Sequence, residues 1–403
     1  MSPLATPPPA HAGTYPHISA RAAARNRAAA RAHAVALRRP ISTGPPAGLR
    51  GNPARSLAAY EAMQRFFYIQ GTGLYREQPY TGAHSYLWPL SQALAATVSS
   101  SHIPGLAGRL AGALGAQLYG LQKYFKTSSG GPRSPSAAPP QASLASYTAT
   151  DAGSTSYYDD NEWVGIELVR VHKLDHSSAA LSQAEQIMAF VMAGWQTNPG
   201  ERCPGGVPFS DRPPGDEERN AVTNAPAAEL GVQLYRVTHD AAYLRFAEMA
   251  YGWVRQCLLE PTDLYADHLE AEGELEPTEW SYNQGSMIGA GVLLYQSTGD
   301  RTYLEQATAT ARAAVSSFLL EKLAGESPFF PAVFFRNLLY LDSVIHDPSG
   351  SALAQSYVNY VWESLHLPSG LFLSAQGSTP QLLEQAAIAQ IYALLSIPPS
   401  TYF

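Results

Sequence analysis

Residues 279–319 read EWSYNQGSMIGAGVLLYQSTGDRTYLEQATATARAAVSSFL, and this stretch decides the fold. Apolar residues recur at helical intervals on both sides of Thr298-Gly299-Asp300. Gly favours the left-handed conformation that ends a helix, and Asp is a preferred residue for starting the next one. The stretch therefore predicts a helical hairpin with a polar cluster at the start of its first helix.

Similar hairpins lie upstream of this one. The run AAYLRFAEMAYGWVRQCL (241–258), which follows the turn at His239-Asp240, is nearly a copy of residues 301–319. A third helical run ends at Asp175, so the three turns lie at a near-constant pitch, which is typical of a solenoid or a closed ring. An open tetratricopeptide solenoid fits less well because its repeats are only about 34 residues long. Six hairpins predict an all-α (α/α)6 toroid, with inner helices starting near residues 85, 160, 220, 280, 333 and 381.

Two segments differ in composition from the helical part of the chain. Residues 1–54 are rich in Pro, Ala and Arg and are predicted to form a partly disordered extension. Residues 127–156 are polar and rich in Pro, Ser and Gly, which predicts a long surface loop. A loop of that length within a compact domain is often functional. Residues 55–403 are predicted to form a single (α/α)6 domain.

Charge is unevenly distributed along the 403 residues. The first 60 residues contain eight Arg and no acidic residue, whereas the whole chain has 26 basic and 33 acidic residues and a net charge of −7. The helical body is therefore acidic, which argues against nucleic-acid binding. The 10% aromatic content includes 23 Tyr and 6 Trp, whose flat faces and polar edges suit sugar rings as well as core packing.

The N-terminal sequence bears on the cellular location of the protein, and the cysteines bear on its redox state. No apolar run approaches the roughly 20 residues that cross a bilayer. The N-terminal sequence lacks the charged and apolar regions of a secretory signal, which predicts a cytoplasmic protein. Cys203 and Cys257 lack metal-site spacing, and the sequence leaves open whether they pair or remain free thiols.

Polar residues cluster where the inner helices begin, and a ring would bring them together. The motifs of metalloproteases, phosphate-binding loops and esterases are missing from the sequence, so no metal or cofactor is predicted. Asp159 and Asp160 are the notable pair, because two close carboxyl groups can divide acid and base work. A competing interpretation is that they cap a helix and complement its dipole. The same cap interpretation competes for Asn220 and Asn224.

Four ordered motifs resemble glycoside hydrolase family 76, the alpha-1,6-mannanases, and in particular its actinobacterial members. They are YYDDNEWVGIELVRVHKLD (157–175), NAVTNAPAAELGVQLYRVTHD (220–240), EWSYNQGSMIGAGVLLYQSTGD (279–300) and FFRNLLYLDS (334–343). The resemblance runs from about residue 155 to the C-terminus. It implies an (α/α)6 catalytic domain that cleaves alpha-1,6-mannosidic bonds with retention, with Asp159 as nucleophile and Asp160 as acid/base.

The polar residues at the helix starts are predicted to bind the sugar hydroxyls. They are Asn161, Asn220, Asn224, Tyr282, Asn283, Gln284 and Arg336. The predicted partner is an alpha-mannan-like oligo- or polysaccharide, and the protein is predicted to be a monomer. Two alternatives stay open: a toroid that binds glycan without cleaving it, or acts as a scaffold, and another toroid enzyme such as a sugar epimerase or an unsaturated-uronyl hydrolase. The histidines that an epimerase would use lie mostly outside the polar clusters.

Overall fold

The computed structural model of the protein describes residues 49–126, 143–148, 155–196, 198, 200, 202–212, 217–373 and 379–403. Most of the predicted extension (1–54) and most of the predicted loop (127–156) lie outside these residues. Thirteen α-helices are described in that part of the chain. They are α1 Asn52–Phe66, α2 Leu87–Ser101, α3 Ala107–Leu121, α4 Tyr158–Asp175, α5 Ser178–Ala193, α6 Ala221–Thr238, α7 Ala241–Leu258, α8 Ser281–Thr298, α9 Arg301–Ser317, α10 Leu320–Gly325, α11 Phe329–Ile345, α12 Ser349–Ser364 and α13 Leu382–Leu394.

Six of these helices form a closed inner ring. Helices α2, α4, α6, α8, α11 and α13 each contact the next one in this order, and α13 packs back against α2. The outer helices α1, α3, α5, α7, α9 and α12 pack against the inner ones, and the short α10 contacts α12. The predicted all-α (α/α)6 toroid is therefore confirmed. The sixth pair is completed across the chain, because α1 packs on α13.

Inner and outer helices differ in how much of their surface is buried. The first fourteen residues of α8 are all buried, whereas in the outer helix α9 only four residues are. Glycines in α8 permit the close packing, because a Cβ added to Gly285 would lie 2.6 Å from the Cα of Phe334 in α11. The run SYNQGSMIGAG thus allows α8 to lie directly against its neighbour in the ring.

The turns between paired helices follow the predicted chemistry. His239 and Gly299 adopt left-handed conformations with φ of 62° and 78°. The following residues, Asp240 and Asp300, accept hydrogen bonds from the backbone N–H of the second residue of the next helix, at 2.8 and 2.9 Å. These turns lie on the side of the ring opposite the starts of the inner helices.

Short strands, which the sequence did not predict, support the loops on the other side. Strand β1 (Tyr68–Ile69) pairs with β2 (Leu74–Tyr75), and β3 (Arg219–Asn220), β4 (His268–Leu269) and β5 (Leu275–Glu276) form an antiparallel sheet. Each strand has two residues, so it leaves no alternating pattern to detect. The three-stranded sheet places the segment before α8 against the start of α6.

Cys203 and Cys257 form a disulfide, with their Cα atoms 6.0 Å apart. The bond ties the segment before β3 to the end of α7, and the Arg219 guanidinium donates to the Cys203 carbonyl at 2.7 Å. Closing a loop across a sequence separation of 54 residues contributes about 4 kcal/mol in the chain-entropy model. The cytoplasmic location stays a prediction, and persistent disulfides are rare in that compartment.

Candidate active site

Asp159 and Asp160 are the second and third residues of α4 and lie at the end of the ring where the inner helices begin. The N-cap position of α4 is occupied by Tyr157, so neither aspartate is the cap of this helix. Both side chains are buried, with 6% and 2% of their surface exposed. The Oδ1 atom of each has no hydrogen-bond partner among the described residues. Buried carboxyl oxygens are normally paired, so these two are available to a ligand or water.

Burial raises the pKa of both carboxyl groups. The pKa of Asp159 is raised to about 7, against backbone N–H groups of the first turn that favour its charged form. The pKa of Asp160 is raised well above its ordinary value, first by burial and then by the charge of Asp159. Because the first charge opposes the second, the two groups titrate as a pair, and one carboxyl group stays protonated after the other has ionised.

Other buried polar atoms around the pair also lack partners within the described chain. In α4 they are both carboxyl oxygens of Glu162, which lies one turn below Asp159. The starts of α6 and α8 add the two amide atoms of Asn220, Thr223 Oγ1, Asn283 Oδ1 and Ser286 Oγ. These three helices are consecutive in the ring, so the atoms form a polar lining suited to hydroxyl groups. Among the described residues, no group of three or more His, Cys, Asp or Glu could hold a metal ion.

Glu162 is a candidate that the sequence interpretation missed. Its side chain is fully buried, and its pKa is raised well above the ordinary value by burial and by the charge of Asp159. It lies three residues after Asp159, so both point to the same face of α4. The Asp-Asp-Asn-Glu run contained this signal, since an acid at that spacing shares the face of the first aspartate.

Asp267 is another buried carboxylate, and it contacts the start of α8. It accepts a hydrogen bond from the Asn283 amide at 3.1 Å and contacts His268 Nδ1 at 3.0 Å. Burial lowers the pKa of His268, but Asp267 and Glu270 raise it more strongly, to about 9. Tyr282 lies within the field of both Asp267 and Asp159, which together with burial raise its pKa. Asp267 was missed because it lies in an acidic loop, immediately before the two-residue strand β4.

The starts of four inner helices share a positional pattern. Their first four residues read YDDN, AVTN, SYNQ and LLEQ in α4, α6, α8 and α13. At the third position, Asp160, Thr223 and Asn283 each leave a buried atom unpaired toward the lining. The fourth position always carries a side-chain amide. The third position of these helices thus contributes to the site, and the fourth position stabilises the fold.

The fourth-position amides, here called the loop-anchoring amides, each hold the loop that precedes their helix. Each side-chain carbonyl accepts from a loop N–H, and each NH2 group donates to a loop carbonyl and to a second backbone carbonyl. They are Asn161 (loop residue Leu144), Asn224 (Val207), Gln284 (Tyr265) and Gln385 (Phe372 N–H and Gly370 carbonyl), with distances of 2.7–3.1 Å. The prediction that Asn161, Asn224 and Gln284 bind sugar hydroxyls is therefore corrected: their amides are occupied by backbone.

Asn224→Ala is expected to destabilise the protein without removing a sugar contact. It leaves the buried Val207 N–H and carbonyl unpaired, at a cost of about 1–3 kcal/mol for each group. Urea unfolding followed by circular dichroism measures the loss, and Asn359→Ala on the exposed face of α12 is the matched control. Unchanged stability combined with weaker saccharide binding would restore the original interpretation of Asn224.

Arg336 is also corrected from a sugar ligand to a structural residue. Its guanidinium donates to Glu229 at 2.7 Å and to Glu167 at 3.1 Å, and Glu167 in turn pairs with Arg170 at 2.7 Å. All four side chains are buried. Glu167 lies eight residues after Asp159, about 12 Å further along the helix axis. This charge network is thus below the site.

A family model described as Glycosyl hydrolase family 76 matches residues 53–333. The chain belongs to this family. The match begins well before residue 155, so the family pattern includes the N-terminal hairpins that the motif comparison did not reach.

Sequence relatives in this family are remote. Mannan endo-1,6-alpha-mannosidase DFG5 of Saccharomyces cerevisiae is 25% identical over 36% of this chain and 33% of its own length. Mannan endo-1,6-alpha-mannosidase DCW1 of Candida albicans is 24% identical over 39% of this chain and 37% of its own length. The chain therefore spans little more than a third of these curated relatives.

Solved structures match over nearly the whole helical ring. The family 76 mannosidase Bt3792 of Bacteroides thetaiotaomicron superposes with a TM-score of 0.76 and 22% identity, covering 86% of this chain and 98% of that one. The GH76A alpha-1,6-mannanase of Salegentibacter sp. gives 0.70 and 18%, covering 86% and 99%. An inactive variant of that mannanase, with two consecutive aspartates replaced by asparagine, is in complex with alpha-1,6-mannotriose and gives a TM-score of 0.68 at 18% identity, again covering 86% and 99%. These likenesses show the toroid fold.

Proposed function

We propose that the protein is a retaining glycoside hydrolase that cleaves alpha-1,6-mannosidic bonds in a mannan-type polysaccharide or glycan. The observation that carries this proposal is the pair Asp159–Asp160, with one unpaired oxygen on each buried carboxyl group, at the end of the ring where three polar helix starts meet. Family membership supports the reaction class. The mannanase relatives and the mannotriose complex support the choice of linkage.

The closeness of two consecutive residues supports a retaining mechanism. Consecutive Cα atoms are about 3.8 Å apart, and side chains on neighbouring helical residues diverge by about 100°. Carboxyl groups so placed lie a few ångströms apart, near the separation of about 5 Å found in retaining enzymes. An inverting pair needs about 6.5–9.5 Å to admit a water molecule.

The roles of the two groups are those that the family resemblance implies, and the raised pKa of both carboxyl groups supports a pair that shares one proton. Asp159 in its charged form attacks the anomeric carbon while the bond to the leaving oxygen breaks. Asp160 retains its proton and gives it to that oxygen, and it then takes a proton from the water that displaces Asp159 from the sugar. The pair returns to its starting protonation after each turnover.

Three of the predicted sugar-binding residues keep that role in the proposal. Asn220 has both amide atoms available, Asn283 has its carbonyl oxygen available, and Tyr282 is within the electrostatic field of Asp159. Glu162 joins them as a buried acid on the face of Asp159. A monomeric state, an actinobacterial type and a cytoplasmic location stay predictions.

The proposal is tested by digesting alpha-1,6-mannan and following the first products by proton NMR. Cleavage with retention releases the alpha anomer first, and mutarotation then produces the beta anomer. Initial release of the beta anomer would contradict the retaining mechanism. Saccharide binding without any product, across alpha-1,6-, alpha-1,2- and alpha-1,3-linked mannans, would favour the alternative of a non-catalytic glycan-binding toroid.

A further inference from the structure

A hollow lies against the segment that leads into α8. It has a volume of about 460 Å³, within the range of ligand pockets of roughly 300–1,000 Å³. One wall is the segment that leads into α8, and the other is the short helix α10 with the residue that follows it. The lining residues are Pro277, Thr278, Glu279, Trp280, Glu321, Lys322, Gly325 and Glu326.

The pocket wall continues directly into the start of α8, which belongs to the candidate active site. Trp280 is two residues before Tyr282, so at most about 7 Å separates their Cα atoms. The Tyr282 ring stacks on Phe330 at 4.1 Å, and the Trp280 ring packs edge-on against the same Phe330 at 5.4 Å. Glu326 in the pocket wall accepts hydrogen bonds from the backbone N–H and the hydroxyl of Ser281.

The residues that line the pocket favour a neutral ligand with many hydroxyl groups. Trp280 is only partly buried and offers an aromatic surface. Glu279, Glu321 and Lys322 also line the pocket. Glu326 is buried, and both of its oxygens already accept hydrogen bonds. The carboxylates of Glu279 and Glu321 outweigh the single lysine, which disfavours a phosphate or other anion. Lys322 Nζ lies 3.9 Å from a Glu279 oxygen and leaves 42% of its side chain exposed, which disfavours a bound cation. Carboxylates accept from hydroxyl groups and an ammonium donates to them, so together these groups fit a hexose.

We propose that this pocket, called here the Trp280 pocket, is a subsite that binds a further sugar unit of the same glycan chain. The inference rests on the proposed function and extends it, because a subsite outside the Asp159–Asp160 pair selects long chains. The enzyme then gains transition-state binding from sugar units that do not react. Cleavage efficiency is expected to rise with chain length until the pocket is filled.

The test uses alpha-1,6-mannooligosaccharides of increasing length with the full-length protein. Trp280→Ala is expected to lower kcat/KM on the longest chains by at least about tenfold, a difference of ~1.4 kcal/mol, and to flatten the rise with chain length. Trp280→Phe should retain most of that rise because it keeps an aromatic ring. Arg301→Ala, at the opposite end of the ring, controls for truncation of a surface side chain.

A second pair of variants leaves Trp280 untouched. A Cβ on Gly325 meets nothing within 4 Å, so Gly325→Phe places a ring at the pocket wall and Gly325→Ala is its matched control. Only the phenylalanine variant should lose the gain from long chains. Equal loss on all lengths, or no loss in Trp280→Ala and Gly325→Phe, would overturn the subsite.

Binding separates this inference from the proposed function. If the wild type cleaves no mannan, the proposed function fails, and calorimetry with mannotetraose still tests the pocket. Tighter binding to Gly325→Ala than to Gly325→Phe would support the pocket. Equal affinities would refute it.

Discussion

Asp159→Asn is expected to abolish cleavage of alpha-1,6-mannan, and Asp160→Asn to lower it by about 10²–10⁴-fold. Removing the nucleophile prevents the glycosyl-enzyme bond from forming, whereas removing the acid leaves the nucleophile in place. In the wild type, kcat/KM should fall as pH drops below about 7, because Asp159 then takes up a proton. Initial rates on mannan across this pH range measure both effects.

Leaving-group chemistry distinguishes the two roles. A dinitrophenyl mannoside of sufficient length needs no proton to depart, so Asp160→Asn should still release dinitrophenol in a first turnover and Asp159→Asn should not. Asp240→Asn and Asp300→Asn make the same chemical change at exposed helix caps and should leave activity intact. Dinitrophenol release by Asp159→Asn but not by Asp160→Asn would reverse the assignment.

Arg336→Met is expected to destabilise the protein by about 3–5 kcal/mol, because it removes the partner of two buried carboxylates. Glu167 would keep its ion pair with Arg170, whereas Glu229 would keep no ion pair among the described residues. The Phe403 ring would also lose a cation 5.2 Å from its centre. Urea unfolding measures the change, and Arg301→Met on the exposed start of α9 is the control.

A double variant tests whether charge balance is the cause. Arg336→Met combined with Glu229→Leu removes one charge of each sign and should recover a large part of the lost stability. If Arg336→Met alone unfolds at the wild-type urea concentration but binds mannooligosaccharide more weakly, Arg336 is a sugar ligand after all. No recovery in the double variant would assign the loss to packing.

The ring was predictable because its signals are local and repeated. The helix periods, the Thr-Gly-Asp and Thr-His-Asp turns and the pitch between turns are all legible in the chain, and the structure has them where the sequence places them. The start of α11 was set four residues too late, since Phe329–Ala332 has no polar cap to mark it. The two-residue strands carry no periodicity at all.

The site was less predictable because a polar residue at a helix start can either face the site or hold the preceding loop. Asn220 and Asn224 look alike in sequence, yet one has an unpaired amide in the site and the other anchors Val207. Aligning the four helix starts by position separates them, since the fourth place always anchors a loop. Arg336 was misassigned because its partners lie on two other helices, far away in sequence.

Closure of the ring has a consequence for how the domain folds. Helix α13 fills the gap between α11 and α2, and the Gln385 amide donates to the carbonyl of Ala59 in α1, across a sequence separation of 326 residues. Contacts between such distant residues cost loop-closure entropy before they stabilise anything. We therefore expect ring closure to be a slow step in folding.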